Sequence, residues 1–140
     1  MRTEVPPVEY VPDEITLLRF GAVTRNAHRI HYDTAFARSE GLDGPVVMAQ
    51  LHGCLFHRAA AAYAGETGEV LSVGWQNRAP AYAGDRLVVS GVVESVDEET
   101  GHITLALEEH RFPDGEGPGT LCCRGHAVVA VRSSDAQSSK

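Results

Sequence analysis

Between Thr24 and Asp33 the chain reads Thr-Arg-Asn-Ala-His-Arg-Ile-His-Tyr-Asp, its densest run of polar chemistry. Asn26 and His31 stand five positions apart, too far for neighbours on one helix face, where pairs fall at about three or four. A chain that turns here can still aim both side chains into one pocket. An imidazole ordinarily ionises near neutrality, which suits His31 to proton transfer. Asn26 carries no proton, but it can hold a water or a carbonyl. The same residues also make a plain polar turn, with Asp33 capping a helical segment over Thr34–Arg38. Both readings stand on residue type alone. His28 reads as a structural, hydrogen-bonding histidine. Arg25 and Arg29 are either solvated or placed to meet an anion.

These residues need elements to position them. A chain of 140 residues, 43% hydrophobic and 22% charged, builds one globular domain with one core. Residues 1–14 read as an irregular lead-in with three prolines. Ile15–Val23 is apolar and β-capable and is taken as the first strand. A short helix is expected over Thr34–Ser39, then a loop over 41–45. Pro45, at a first helical turn where its missing N–H costs nothing, opens a long helix over Val46–Ala64. Val47, Leu51, Cys54, Leu55 and Ala62 mark its apolar stripe, and the alanines widen that stripe until the helix reads as buried all round. Gly65 and Gly68 end it. His52 and His57 lie on this helix, toward a pocket or a subunit interface. Four strands follow, over Val70–Ala79, Arg86–Val96, His102–Phe112 and Leu121–Val131. Their hairpin-length links make them antiparallel. His126, in the last, is expected in the core or at an interface. Pro113–Gly119 reads as a hairpin loop and residues 133–140 as a disordered polar tail. The expected class is α+β, a curved antiparallel sheet wrapped around one central helix.

Several functions are excluded or disfavoured. The net charge of −7 argues against nucleic acid as the main partner. No apolar run approaches the roughly 18 residues of a membrane span, and the acidic, proline-bearing N-terminus shows no signal-peptide pattern, so a cytoplasmic location is expected. Cys54, Cys122 and Cys123 are expected as reduced thiols, with the adjacent pair facing opposite sides of its strand. Neither His28-x-x-His31 nor His52 with His57 makes a zinc set, and there is no HExxH, so no metal is expected.

The polar run and the architecture together resemble a known family. The α+β arrangement is that of the hotdog fold, and Thr24–His31 resembles the hydratase motif of MaoC-like enoyl-thioester hydratases. The string Asn26-Ala27-His28-Arg29-Ile30-His31-Tyr32-Asp33 is similar to the signature of the 3-hydroxyacyl-thioester dehydratase and mesaconyl-CoA hydratase branch. Gly44-Pro45-Val46-Val47 and Ala81-Tyr82-Ala83-Gly84-Asp85 look like the segments that open that family's central helix and one of its strands. The resemblance covers most of residues 15–132, taken as the hotdog domain.

It implies reversible addition of water to an enoyl-CoA or acyl-carrier thioester. His31 falls on the family's catalytic histidine, and Asn26 on the position where many relatives have an aspartate. Ala49 falls on a glycine whose backbone N–H binds the thioester oxygen. Met48 stands where a histidine often precedes it. Arg25, Arg29 and Met48 are the implied substrate contacts. No cofactor is implied, since CoA arrives with the substrate. The implied assembly is a homodimer, or a heterodimer with a related hotdog subunit. Two other activities compete: a non-catalytic partner subunit of a two-component hydratase, and a hotdog thioesterase, for which Asp43 and Glu66 are the available carboxylates.

Overall fold

The computed structural model describes residues 2–113 and 117–132; the polar tail expected over 133–140 and part of the loop over 113–119 lie outside them. The chain runs β1 (Glu4–Tyr10), α1 (Glu14–Thr24), a 3-10 turn (Arg29–His31), α2 (Thr34–Ser39), α3 (Ala49–Ala64), β2 (Glu69–Asn77), β3 (Arg86–Val96), β4 (Ile103–Phe112) and β5 (Thr120–Ala130). The five strands form one antiparallel sheet in the order β1-β3-β4-β5-β2.

Two early segments differ from expectation. Residues 4–10, read as irregular, form β1 and pair with β3. Its prolines are tolerated because β1 is an edge strand, with a bulge between Val5 and Val8. Ile15–Val23, read as a strand, lies within α1. Local capping decides this against β propensity. The Asp13 carboxylate accepts a hydrogen bond from the Thr16 N–H at 2.7 Å, Glu14 sits in the first turn, and Arg25 closes the helix in the left-handed conformation at φ 59°. Only Leu17 and Gly21 of α1 are buried. Ile15, Leu18 and Val23 point outward, so the apolar residues carry little helical periodicity toward the core.

The long helix starts at Ala49, not Val46. Residues 46–48 are extended instead, because the link between β2 and β3 claims their backbone. Val46 bridges Tyr82, and the Val47 N–H donates to the Ala81 carbonyl at 2.8 Å. The helix is not buried all round. Ala49, Gln50, Cys54, His57, Arg58, Ala61 and Ala62 form one exposed face, while Leu51, Leu55, Phe56, Ala59, Ala60 and Tyr63 are buried. Cys54 and Ala62 thus lie outside the apolar stripe assigned to them.

The link after β2 is a crossover. β2 pairs with β5 at the far edge, and the chain then crosses over residues 78–85 to place β3 beside β1. Helix α3 packs against β1 and β2, the two opposite edges. A flat five-stranded sheet would separate its edge strands by about 19 Å, at ~4.8 Å per strand, and a helix about 10 Å across could not reach both. The sheet therefore curls around α3, helped by register shifts in every strand pair.

One of those shifts corrects the cysteine reading. Glu109 pairs with Cys123 and His110 with Leu121, which leaves Cys122 as an extra, unpaired residue. At such a bulge the alternation of faces breaks. Both Cys122 and Cys123 are buried on the core side. His126 lies on the exposed face, 3.3 Å from Glu94, rather than in the core. Among the described residues no helix is long and apolar enough to cross a membrane.

Candidate active site

The site is assembled by three short segments. After α1 ends at the left-handed Arg25, the Asn26 N–H returns to the Gly21 carbonyl at 2.8 Å. This folds the chain tightly against α1. A Cβ on Gly21 would sit 2.9 Å from the Asn26 carbonyl oxygen, so only glycine lets the two backbones approach this closely. The next bend belongs to His28, whose Nδ1 accepts the Ile30 N–H at 3.2 Å and starts the 3-10 turn. Asp33 then caps α2, accepting the Phe36 N–H at 3.0 Å. That hydrogen bond, joined by the Arg29 guanidinium, holds the Asp33 carboxyl below its ordinary range. His28 and Asp33 thus play the structural parts expected of them.

This turn is sewn to the segment before α3. The Val46 N–H donates to the Ile30 carbonyl at 3.0 Å, and the Val46 carbonyl lies 2.7 Å from His31 Nδ1. A carbonyl only accepts, so Nδ1 carries the ring proton and Nε2 presents its lone pair when the ring is neutral. Asn26 Nδ2 lies 3.3 Å from that Nε2, and Asn26 Oδ1 accepts the His28 N–H at 3.4 Å. The two contacts agree on the amide's orientation: nitrogen toward His31, oxygen toward the backbone. His31 is itself buried. When the ring is neutral, the main chain thus holds it in one tautomer, with its unprotonated nitrogen facing an amide donor.

Beside Asn26 a groove of about 340 Å³ runs along α1, lined by Leu18, Gly21, Ala22, Arg25, Asn26 and Tyr32 among others. Its only charged lining residue is Arg25. Arg29 is engaged within its own turn, paired to Asp33 at 2.9 Å and lying over the Phe36 ring at 4.3 Å. Met48 is part of the core, 1% exposed, and no side chain caps α3 there. Ala49 follows as the first residue of α3 and is exposed. It stands three residues beyond the carbonyl that holds His31, where helix N–H groups and dipole favour negative charge.

Two polar features are not evident from the sequence. The carbonyl of Val46 is a main-chain group that no residue type reveals. Glu109 is fully buried on β4. A signal for it existed, since it continues the inward row Ile103, Leu105, Leu107 at period two.

Comparison with known proteins gives a consistent picture. The sequence profile of the family described as hydroxyacyl-thioester dehydratase type 2 matches residues 2–83, more than half of the chain. A stretch of 64 residues is 45% identical to the mesaconyl-C(4)-CoA hydratase of Chloroflexus aurantiacus. That alignment takes in 41% of this chain and 23% of the relative, less than a quarter of its length. Among solved structures, the (R)-hydratase from A. caviae involved in PHA biosynthesis superposes with a TM-score of 0.82 at 21% identity, over 94% of this chain and 96% of that one. The ChsH1-ChsH2 complex from Mycobacterium tuberculosis gives a TM-score of 0.81, also at 21% identity, over 94% and 97%. The fold is the hotdog.

Proposed function

The chain belongs to the hydroxyacyl-thioester dehydratase type 2 family, and on that premise we propose that it interconverts a 2-enoyl thioester, such as an enoyl-CoA, and its 3-hydroxyacyl counterpart, with His31 as the general acid and base. The observation that carries this reading is the tautomer of His31 fixed by the main chain, with Nδ1 on the Val46 carbonyl and Nε2 facing the Asn26 amide.

In the hydration direction Nε2 takes a proton from water as its oxygen bonds to C3. The C2–C3 π electrons move to C2 and the thioester oxygen, forming an enolate. In this reading the Ala49 N–H, at the positive end of α3, receives the oxyanion charge; one such donor is typically worth ~3 kcal/mol. The imidazolium then returns its proton to C2, so water is added and His31 is regenerated. Asn26 orients the water. Arg25, at the groove rim, meets the anionic part of the thioester. A positioned acid–base group contributes ~10²–10⁴-fold. His31→Ala is therefore expected to lose about that much of kcat in crotonyl-CoA hydration while its circular dichroism spectrum stays native. Near-normal turnover in that variant removes His31 from the mechanism.

A second reading rests on Asn26 itself. It offers no titrating group, and this fold also occurs in a chain solved as part of the ChsH1-ChsH2 complex. On that reading the chain is a partner subunit, silent alone and active only when a related hotdog subunit is supplied. A flat crotonyl-CoA trace that recovers on adding such a subunit would select it. For either reading we propose a dimer built side by side through the free edge of β2.

A further inference from the structure

Under α3, on the far side of the helix from its exposed face, lies a polar cluster that the proposed hydration does not use. His52 of α3, Glu109 of β4 and Cys123 of β5 are all buried, and one ligand atom from each lies within 4.8 Å of the others. The bulge in β5 adds the Cys122 thiol, which donates to Glu109 Oε1 at 2.9 Å. The Cys123 thiol donates to Asn77 Oδ1 at 3.0 Å. Burial pushes both thiols up, Cys123 to about 12.

The cluster is incomplete as it stands. His52 Nδ1 lies 2.5 Å from Glu109 Oε1, an ion pair when the ring is protonated, yet it makes no hydrogen bond. Glu109 Oε2 also has none. Both groups are more than nine-tenths buried. A carboxylate in an apolar core is costly unless a cation answers it. A leucine at 109 would simply continue the row Ile103, Leu105, Leu107.

We propose that His52, Glu109 and Cys123 form a buried site for a single zinc-like divalent cation. Imidazole nitrogen, carboxylate oxygen and thiolate sulfur are the donors zinc takes, and donors of a tetrahedral site lie roughly 3.3–3.8 Å apart, so this set closes with shifts of about an ångström. A thiolate in the set disfavours calcium and magnesium. The charges also close. Binding releases the Cys123 proton, and one thiolate, one carboxylate and a neutral imidazole together offset a double positive charge, leaving a neutral centre in a low-dielectric core. The Cys122 thiol, donating to Glu109 Oε1, orients the carboxylate.

The test needs no catalytic assay. The full chain is unfolded, refolded with Co²⁺ or Zn²⁺, and freed of excess metal. The expected result is about one equivalent bound, with a sulfur-to-cobalt charge-transfer band. The sequence holds only three cysteines, so the band should persist in Cys54→Ser and vanish in Cys123→Ser. Glu109→Gln should weaken zinc about 100-fold or more in competition with a chromophoric chelator. Uptake of no metal by the refolded wild-type chain overturns the proposal. So does a band that survives Cys123→Ser or disappears with Cys54→Ser. Should Cys123→Ser fail to fold, the wild-type spectrum decides, since bound cobalt without a sulfur band also overturns it.

Discussion

His31 and Asn26 differ in what a substitution can tell. Asn26 donates to a neutral Nε2, an interaction that an ionised aspartate cannot make. Asn26→Asp would instead favour the imidazolium, because a carboxylate stabilises a positive charge beside it. The neutral base would then appear only at higher pH, and the acidic limb of the kcat/KM profile for crotonyl-CoA should move upward with it. An unmoved limb would separate His31 from the rate. Asp33 offers a stability counterpart. Its folded pKa lies below the ordinary 3.8 because of the Phe36 N–H and Arg29. The stabilisation is thus full above 3.8 and lost as pH falls through the lower folded value. Asparagine caps a helix about as well as aspartate does. Asp33→Asn should therefore melt nearly as wild type at neutral pH, while acid denaturation monitored below pH 3.8 loses part of its steepness.

Among the elements, α3 shows best how side-chain size sets position. A Cβ on Gly53 would overlap the Trp75 indole, so glycine is what lets β2 close onto the helix. Gly53→Ala forces one of them outward; overpacking of this kind costs ~1–3 kcal/mol, readable as a lower thermal midpoint. This long helix, α2 and the four later strands were all legible from periodicity and breakers, with ends within a few residues. The polar run Asn26–His31 was legible because its residue types are rare in one place. Three things were not. Ile15–Val23 reads as a strand because its apolar residues face outward on a helix, and only the Asp13 cap betrays it. β1 hides behind Pro6 and Pro7, which an edge strand tolerates. The crossover over 78–85 is invisible because strand pairing is a tertiary choice, and a short link suggests a hairpin whether or not one forms.

Taken whole, the protein leaves two surfaces that a lone globule seldom shows. One is the outer side of α1, with Ile15, Leu18 and Val23 exposed beside the groove. The other is β2, which among the described residues pairs only with β5, with Leu71 44% exposed. Open edges of this kind recruit further strands, which supports the proposed side-by-side dimer. Leu71→Lys places a charge on that edge. It should shift light scattering from a dimer mass to a monomer mass while leaving the melting temperature of the subunit little changed. A wild-type chain that is monomeric at micromolar concentration would remove the dimer from consideration.

The grip of Val46 on His31 has an evolutionary side. Because the acceptor is a peptide oxygen, every amino acid at position 46 supplies it, and only proline would sever the companion N–H contact to Ile30. The protonation pattern of the imidazole is thereby insulated from drift in its surroundings. Neighbouring side chains are free to diversify without disturbing the orientation of the ring.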